Sequence, residues 1–232
     1  MSTKYASLIS TSALLILFFA LSAGAQTEQL LPEVDTYVKI HSHLRLFFLA
    51  QVSIENDAAT QAAVGPNIDI FLKPWMKLKG VLAYQLDESK SRPLTFRVGY
   101  NYIPSTDGPT EQRVLLEGTG RAPFVTGTLW SNRVRVDLRF IDDSDFSWRF
   151  RDRLSVERNF KIHSFKMIPY VRVEFLYDSR YSKWSSTAVT AGSVFPIRKQ
   201  SEFEVYYEHD NNTGNSPNQQ VNALGLALSL YF

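Results

Sequence analysis

Residues 132–141 read NRVRVDLRFI, and this short run limits the possible folds sharply. Val134, Val136, Leu138 and Phe140 share one parity, while Arg133, Arg135, Asp137 and Arg139 share the other. Successive side chains of a strand point to opposite faces, so the run forms a ribbon with one apolar and one charged face. The next stretch repeats the design: Phe146, Trp148, Phe150, Leu154 and Val156 oppose Arg149, Arg151, Arg153 and Glu157, with Asp152 as the one break. Val171, Val173, Phe175 and Tyr177 alternate with Tyr170, Arg172 and Glu174. Phe203, Val205 and Tyr207 alternate with Glu202, Glu204, Tyr206 and Glu208. Such a chain needs one environment for its apolar faces and a different one for its charges.

Weaker alternation marks 66–73, 76–86, 94–103, 111–118, 123–129 and 186–195. Residues 34–54 keep one apolar phase through Val34, Val38, Ile40, Leu44, Leu46, Phe48, Val52 and Ile54, which reads as one long strand. The final run, Leu224, Leu226, Leu228, Leu230 and Phe232, is interleaved with Gly225, Ala227, Ser229 and Tyr231. Together these give about twelve strands, within a range of roughly 10–14. Polar turns such as 104–109, 142–145 and 210–217 separate them, and no domain linker intervenes. The expectation is one all-β unit over 34–232.

Lys4, the apolar run at 13–21 and Ser22-Ala23-Gly24-Ala25 describe a cleaved secretory signal over 1–25, leaving 26–33 as a short periplasmic lead. The apolar run is too short to span a bilayer as a helix, and no later segment approaches the ~20 residues required. The mature chain is therefore an exported soluble β-sandwich or a membrane barrel. With 25 basic and 23 acidic residues, the chain lacks the electrostatic footprint of a nucleic-acid binder. With no cysteine, it has neither a disulfide framework nor a thiolate metal site.

Three features favour a single antiparallel transmembrane β-barrel. Several strands match the ~9–11 residues that cross a bilayer with tilt. Trp148, Tyr177, Tyr207, Tyr100 and Tyr102 lie near the ends of apolar faces, as in interfacial aromatic belts. Arg-rich and Glu-rich rows are segregated along the chain, and closing the sheet brings them together across a lumen. An even strand number would leave both termini on the periplasmic side, with 210–220, 178–185 and 142–145 outside and 196–200, 159–168 and 104–110 inside.

The runs SNRVRVDLRF, FSWRFRDRLSVERNF, PYVRVEFLYDSRYSKW, FEVYYEHDN and VNALGLALSLYF occur in that order. Together they resemble the bacterial outer-membrane barrel family called domain of unknown function 2490. The likeness is strongest over 130–232, carried by the R-x-R-x-R-L run at 149–154 and the Y-D-S-R-Y-x-x-W run at 177–184. The 74–93 stretch is longer and less regular than the family pattern. The resemblance implies a Gram-negative outer-membrane location and a barrel fold, and it implies no chemistry.

The candidate functional feature is a charge network facing the lumen: Arg133, Arg135, Asp137, Arg139, Arg149, Arg151, Arg153, Glu157, Arg172, Glu174, Glu202, Glu204 and Glu208. Its guanidiniums suit anion attraction, but acids are present in quantity, and mutual neutralisation in a narrow barrel is the simpler expectation. A rim esterase would need a pair such as Ser185 and His209, with Asp210 or Asn211 as orienter. His41 and His43 suit a metal on one strand face, but no third ligand is apparent. The 178–184 segment reads as a structured hairpin, with Asp178 and Arg180 fixing the turn and Trp184 at the interface. No residue pattern calls for a catalytic site, a cofactor or a resident metal. The expected function is a structural barrel or a narrow pore for small polar solutes. Expected partners are outer-membrane lipid, periplasmic chaperones and the barrel-assembly machinery, with Leu228, Leu230 and Phe232 as the assembly signal.

Overall fold

The computed structural model describes residues 27–232 except 77, 79, 107 and 215–217, so the expected signal segment lies outside the described residues. In chain order the strands are β1 Thr27–His41, β2 Leu44–Glu55, β3 Ala58–Phe71, β4 Leu94–Ile103, β5 Glu111–Pro123 and β6 Thr128–Ile141. There follow β7 Ser147–Arg158, β8 Phe160–Ile162, β9 Phe165–Asp178, β10 Lys183–Arg198, β11 Ser201–Asn212 and β12 Gln219–Tyr231. Eleven of them close into a ring, and β8 is a three-residue flap paired only with β9.

Every pair in the ring is antiparallel except one. β1 and β12 run parallel, from Thr27 beside Val221 to Tyr37 beside Tyr231. An odd ring cannot reverse direction at every step, so one parallel seam is a geometric necessity. Thr27 and Phe232 consequently lie at opposite ends of the barrel, which overturns the expectation from even parity. The expected periplasmic lead is also corrected, because residues 27–33 already belong to β1.

Three strand assignments change for local reasons. Residues 34–54 form a hairpin that turns at 42–43. A two-residue turn normally inverts the phase, but a register shift between Lys39 and His41 restores it. Residue 38 then faces 46 and 34 faces 50, so the apolar parity survives the turn. Residues 123–129 are the end of β5, a turn and the start of β6, with Gly127 at φ +72° supplying the left-handed step. The described residues of 76–86 form no strand: they belong to an insert between β3 and β4 that folds into the barrel. The lost strand at 123–129 also moves the 104–110 loop to the end that holds 142–146.

The ring sorts its faces as membrane-spanning barrels do. Apolar side chains such as Val34, Phe48, Ile68, Val98, Val156 and Val171 stand exposed on the outside, where Trp130 keeps 43% and Phe140 51% of its surface. Asp69, Asp137, Arg139, Glu157, Glu174 and Glu202 are buried inside. A soluble sandwich would reverse this arrangement, and so continuous an apolar exterior belongs in lipid. Aromatic clusters mark both rims. At one, Phe140 meets Phe146 at 5.4 Å, Trp148 meets Tyr177 at 5.4 Å, and Trp184 stands edge-on to Tyr177. At the other, Trp75, Phe124, Phe160 and Phe165 are exposed.

The small residues of β12 face inward for a specific reason. A Cβ on Gly225 would lie 1.9 Å from the Tyr206 ring, so the glycine lets that ring lie flat on the wall. The two ends of the barrel differ. The open end carries the links that follow β2, β4, β6, β9 and β11, and the insert end carries those that follow β1, β3, β5, β8 and β10.

Candidate functional site

At the insert end the lumen wall is partly apolar. Leu129, Ile168, Tyr170 and Val194 form a buried patch, and Leu78 and Leu82 of the insert pack onto it. Burial of each leucine contributes about 1.5–3 kcal/mol. Gly80, at φ +89°, turns the insert between them. The chain then passes into a short 3-10 helix at Glu88–Ser91, capped by Asp87.

Polar anchors fasten this insert around the ring. Glu202 accepts hydrogen bonds from Gln85 Nε2 at 2.8 Å and the Leu86 amide at 2.5 Å. Asn159 donates to the Val81 carbonyl at 2.6 Å. Lys90 pairs with Glu157. Arg45 bridges Asp87 and Asp69, each at 2.7 Å, and lies 4.3 Å from the Tyr37 ring centroid. Burial by itself raises the Asp87 carboxyl, but Arg45, Lys90 and Arg121 outweigh it and hold the group well below the usual carboxylate range. Tyr37 is stacked between Phe47 at 4.7 Å and Tyr231 at 5.0 Å, which ties the seam to the wall beneath the insert.

Towards the open end the wall's own charges line the lumen and narrow it. Glu174 collects Arg133 at 2.5 Å, Arg151 at 2.9 Å and Arg153 at 2.8 Å. Asp178 collects Arg149 and Arg180 at 2.8 Å and Arg139 at 3.5 Å. Asp137 holds Arg135 and Arg151, Glu111 holds Arg113 and Arg139, and Glu117 meets Arg133 at 3.6 Å. Eight guanidiniums thus share five carboxylates. The turn after β9 is fixed by Asp178, which accepts from the Arg180 amide at 3.0 Å and from its guanidinium. Those bonds hold the Arg180 guanidinium above its ordinary pKa.

Across the lumen the wall is acidic. Glu204 takes Arg172 at 3.1 Å and the Tyr170 hydroxyl. Glu208 is held by Thr190 Oγ1 at 2.9 Å and Asp210 by the Ser186 hydroxyl, and neither forms a salt bridge among the described residues, although Arg151 acts on both from the facing wall. Between the two walls lies a polar cavity of about 400 Å³ that reaches Arg180, Tyr181 and Asn212 at the open rim.

The structure places all thirteen charged candidates on the lumen side, distributed over both ends. Glu157 and Glu202 anchor the insert, and the remainder belong to the wall network or the acidic wall. Leu228 and Leu230 face outward, in phase with exposed Leu224, and Phe232 is exposed at the insert end. The sequence reading missed Arg45, Asp69, Asp87, Glu111, Arg113 and Asp178 as members of the network. Asp178 stood in a recognised motif, and Arg45 and Asp69 carry the inward parity of their strands. Asp87 lies in an irregular insert and had no such signal.

The rim Ser/His pair does not form. Position 209 pairs with 189, rather than 187. A bulge between Trp184 and Ser186 turns Ser185 to the lumen, where it lines the cavity. His209 has the parity of outward-facing Phe203 and Tyr207, and it meets Asn222 at 2.9 Å. His43 is engaged with the Phe71 carbonyl at 3.0 Å, and no cluster of three metal-ligating side chains occurs among the described residues.

A closed ring with an apolar exterior and an ionised interior defines an outer-membrane-type β-barrel. The chain belongs to the family described as "Protein of unknown function (DUF2490)", which it matches over residues 33–221. Two solved structures of OmpT from Vibrio cholerae are similar at low identity. The outer-membrane-expressed form is 11% identical at a TM-score of 0.35, covering 73% of this chain and 55% of that one. The in-vitro folded form is 9% identical at a TM-score of 0.31, covering 83% of this chain and 90% of that one. This chain therefore spans 55% of the length of the first of these structures. No curated protein matches the sequence.

Proposed function

We propose that this protein is a structural barrel of the bacterial outer membrane, closed to solute flow at rest. The observation that carries this reading is the insert: Leu78 and Leu82 dock on the lumen wall, and Asp87, Lys90 and the Gln85-Leu86 pair are anchored to different strands. Eleven strands lie between the eight whose side chains fill a barrel and the sixteen that leave a channel, so one folded segment is enough to occlude the lumen. The insert end faces the periplasm in this reading, because its other links are short, as periplasmic turns are. Lipid covers the apolar exterior, and periplasmic chaperones deliver the chain. Leu228, Leu230 and Phe232 present the terminal strand to the barrel-assembly machinery.

Single-channel recording in planar bilayers tests the closed state. The wild-type barrel is expected to be silent, and a variant with 74–91 replaced by a short Gly/Ser linker is expected to conduct. Steady conductance by the wild type would overturn the proposal.

A further inference from the structure

We propose that the cavity at the open end is a binding site for a small zwitterion, of the class of a free amino acid or dipeptide. The argument begins with charge. On the β6–β7–β9 side, guanidiniums outnumber the carboxylates they share, and Asp178 alone serves three of them. That wall carries surplus positive charge. On the β11 side, Glu208 and Asp210 have hydroxyl partners but form no salt bridge among the described residues, and only Arg151 acts on them, from across the cavity, so that wall is acidic. Both walls line one cavity of about 400 Å³, within the size range of small-molecule sites.

A buried side chain gives independent support. Ser185 keeps only 3% of its surface and lines the same cavity; its hydroxyl makes no hydrogen bond among the described residues and is not among the buried orphaned atoms, so it opens into the cavity. It is there because the β10 bulge brings Ser185 and Ser186 together on the lumen side. Ser186 is used to hold Asp210, which leaves Ser185 for a ligand. Bulges commonly re-aim a side chain in this way beside functional sites.

A solute with one charge is poorly matched to this cavity. An anion satisfies the arginines but is repelled by Glu208 and Asp210, and a cation meets the reverse problem. A zwitterion of dipeptide length meets both walls. Its carboxylate accepts hydrogen bonds from Arg149, Arg151 or Arg180, and its ammonium group donates to Glu208 and Asp210. The Ser185 hydroxyl bonds to either end. The cavity lies away from the insert, so this proposal does not depend on whether the barrel conducts.

Ligand-observed NMR titration of the full barrel in detergent micelles at low salt tests the site. The probes are glycylglycine, its N-acetyl derivative, which is an anion, and its amide, which is a cation. Glycylglycine is expected to bind saturably and more tightly than either blocked form. Loss of charge-assisted hydrogen bonds in the Glu208→Gln/Asp210→Asn double variant, or in Arg180→Gln, is expected to weaken it by roughly 10- to 100-fold. Heat-modifiable gel migration identifies variants that have folded, and the two variants alter opposite walls, so each checks the other. If one blocked form binds as tightly as the free dipeptide, the site reads a single charge and the proposal fails. If no probe saturates, or if both folded variants bind as the wild type does, it fails equally.

Discussion

The two ends of the lumen are filled in different ways. At the insert end a segment foreign to the wall is brought in and fixed by a few contacts: two leucines, one arginine, one asparagine, one lysine pair and one glutamate. At the open end the wall supplies its own lining, with rows of arginine from neighbouring strands converging on shared carboxylates beside a polar cavity. The first arrangement concentrates its dependence on few residues and permits movement of a unit. The second spreads it over many residues and stiffens the ring. Neither is strong evidence for stability as such, because removing charges from water offsets much of what pairing returns. Breaking either one costs more, since it strands what is left.

The largest effect is expected from Glu174→Gln, which leaves Arg133, Arg151 and Arg153 around a neutral group. The cost is about 3–5 kcal/mol, measured by urea unfolding in lipid vesicles. The bilayer current should stay silent, because the insert is not touched. Leu82→Ala should cost about 2–3 kcal/mol, at the low end for buried leucines, and should produce intermittent channel openings. If Glu174→Gln opened the channel and Leu82→Ala did not, the division between the two ends would be wrong.

Acid provides a smaller and graded test. The Asp87 carboxyl is held below its ordinary value, so its contribution is fully present above about pH 4, the unfolded value. It is lost progressively as pH falls towards the folded value. Channel openings should therefore become more frequent as pH falls below about 4, and replacing Asp87 with Asn should weaken that dependence, leaving the part carried by the Lys90–Glu157 pair.

The smallest effect concerns the chain end. The Phe232 amide donates to the Tyr37 carbonyl at 2.8 Å, and the Lys39 amide donates to the Phe232 carbonyl at 2.8 Å. Deleting Phe232 removes both bonds, worth about 0.5–1.5 kcal/mol each, whereas Phe232→Ala removes only the ring. If the ring is the assembly signal, both variants insert poorly in cells. If only the deletion does, the backbone seam is what matters.

Much of the wall was legible because strand parity is a rigid code. One look at Arg149, Arg151 and Arg153 assigns them to a single face, and the lumen is the only polar place a membrane barrel offers. The errors arose where parity carries no information. The bulge at Lys39 and His41 hides a turn by restoring phase. In the insert, Leu78 and Leu82 are apolar because they dock on Leu129 and Ile168, so their spacing mimics a strand without belonging to one. The matching of each guanidinium to a carboxylate was not legible at all. Asp178 and Arg139 are 39 residues apart, and only the registers of β6, β7 and β9 bring them together.

The parallel seam has a consequence for how the molecule is made. Its partners, such as Thr27 and Val221, are far apart in sequence, so a piece that lacks either β1 or β12 cannot fasten the ring. Until β12 arrives, the sheet has two free edges with unpaired amides and carbonyls, which a bilayer core does not tolerate. Contacts of such long separation also carry the highest entropic cost and form late. Closure therefore has to wait until both β1 and β12 are present. A truncated copy would stay an open sheet, visible to proteases and chaperones, and would not become a defective barrel in the membrane.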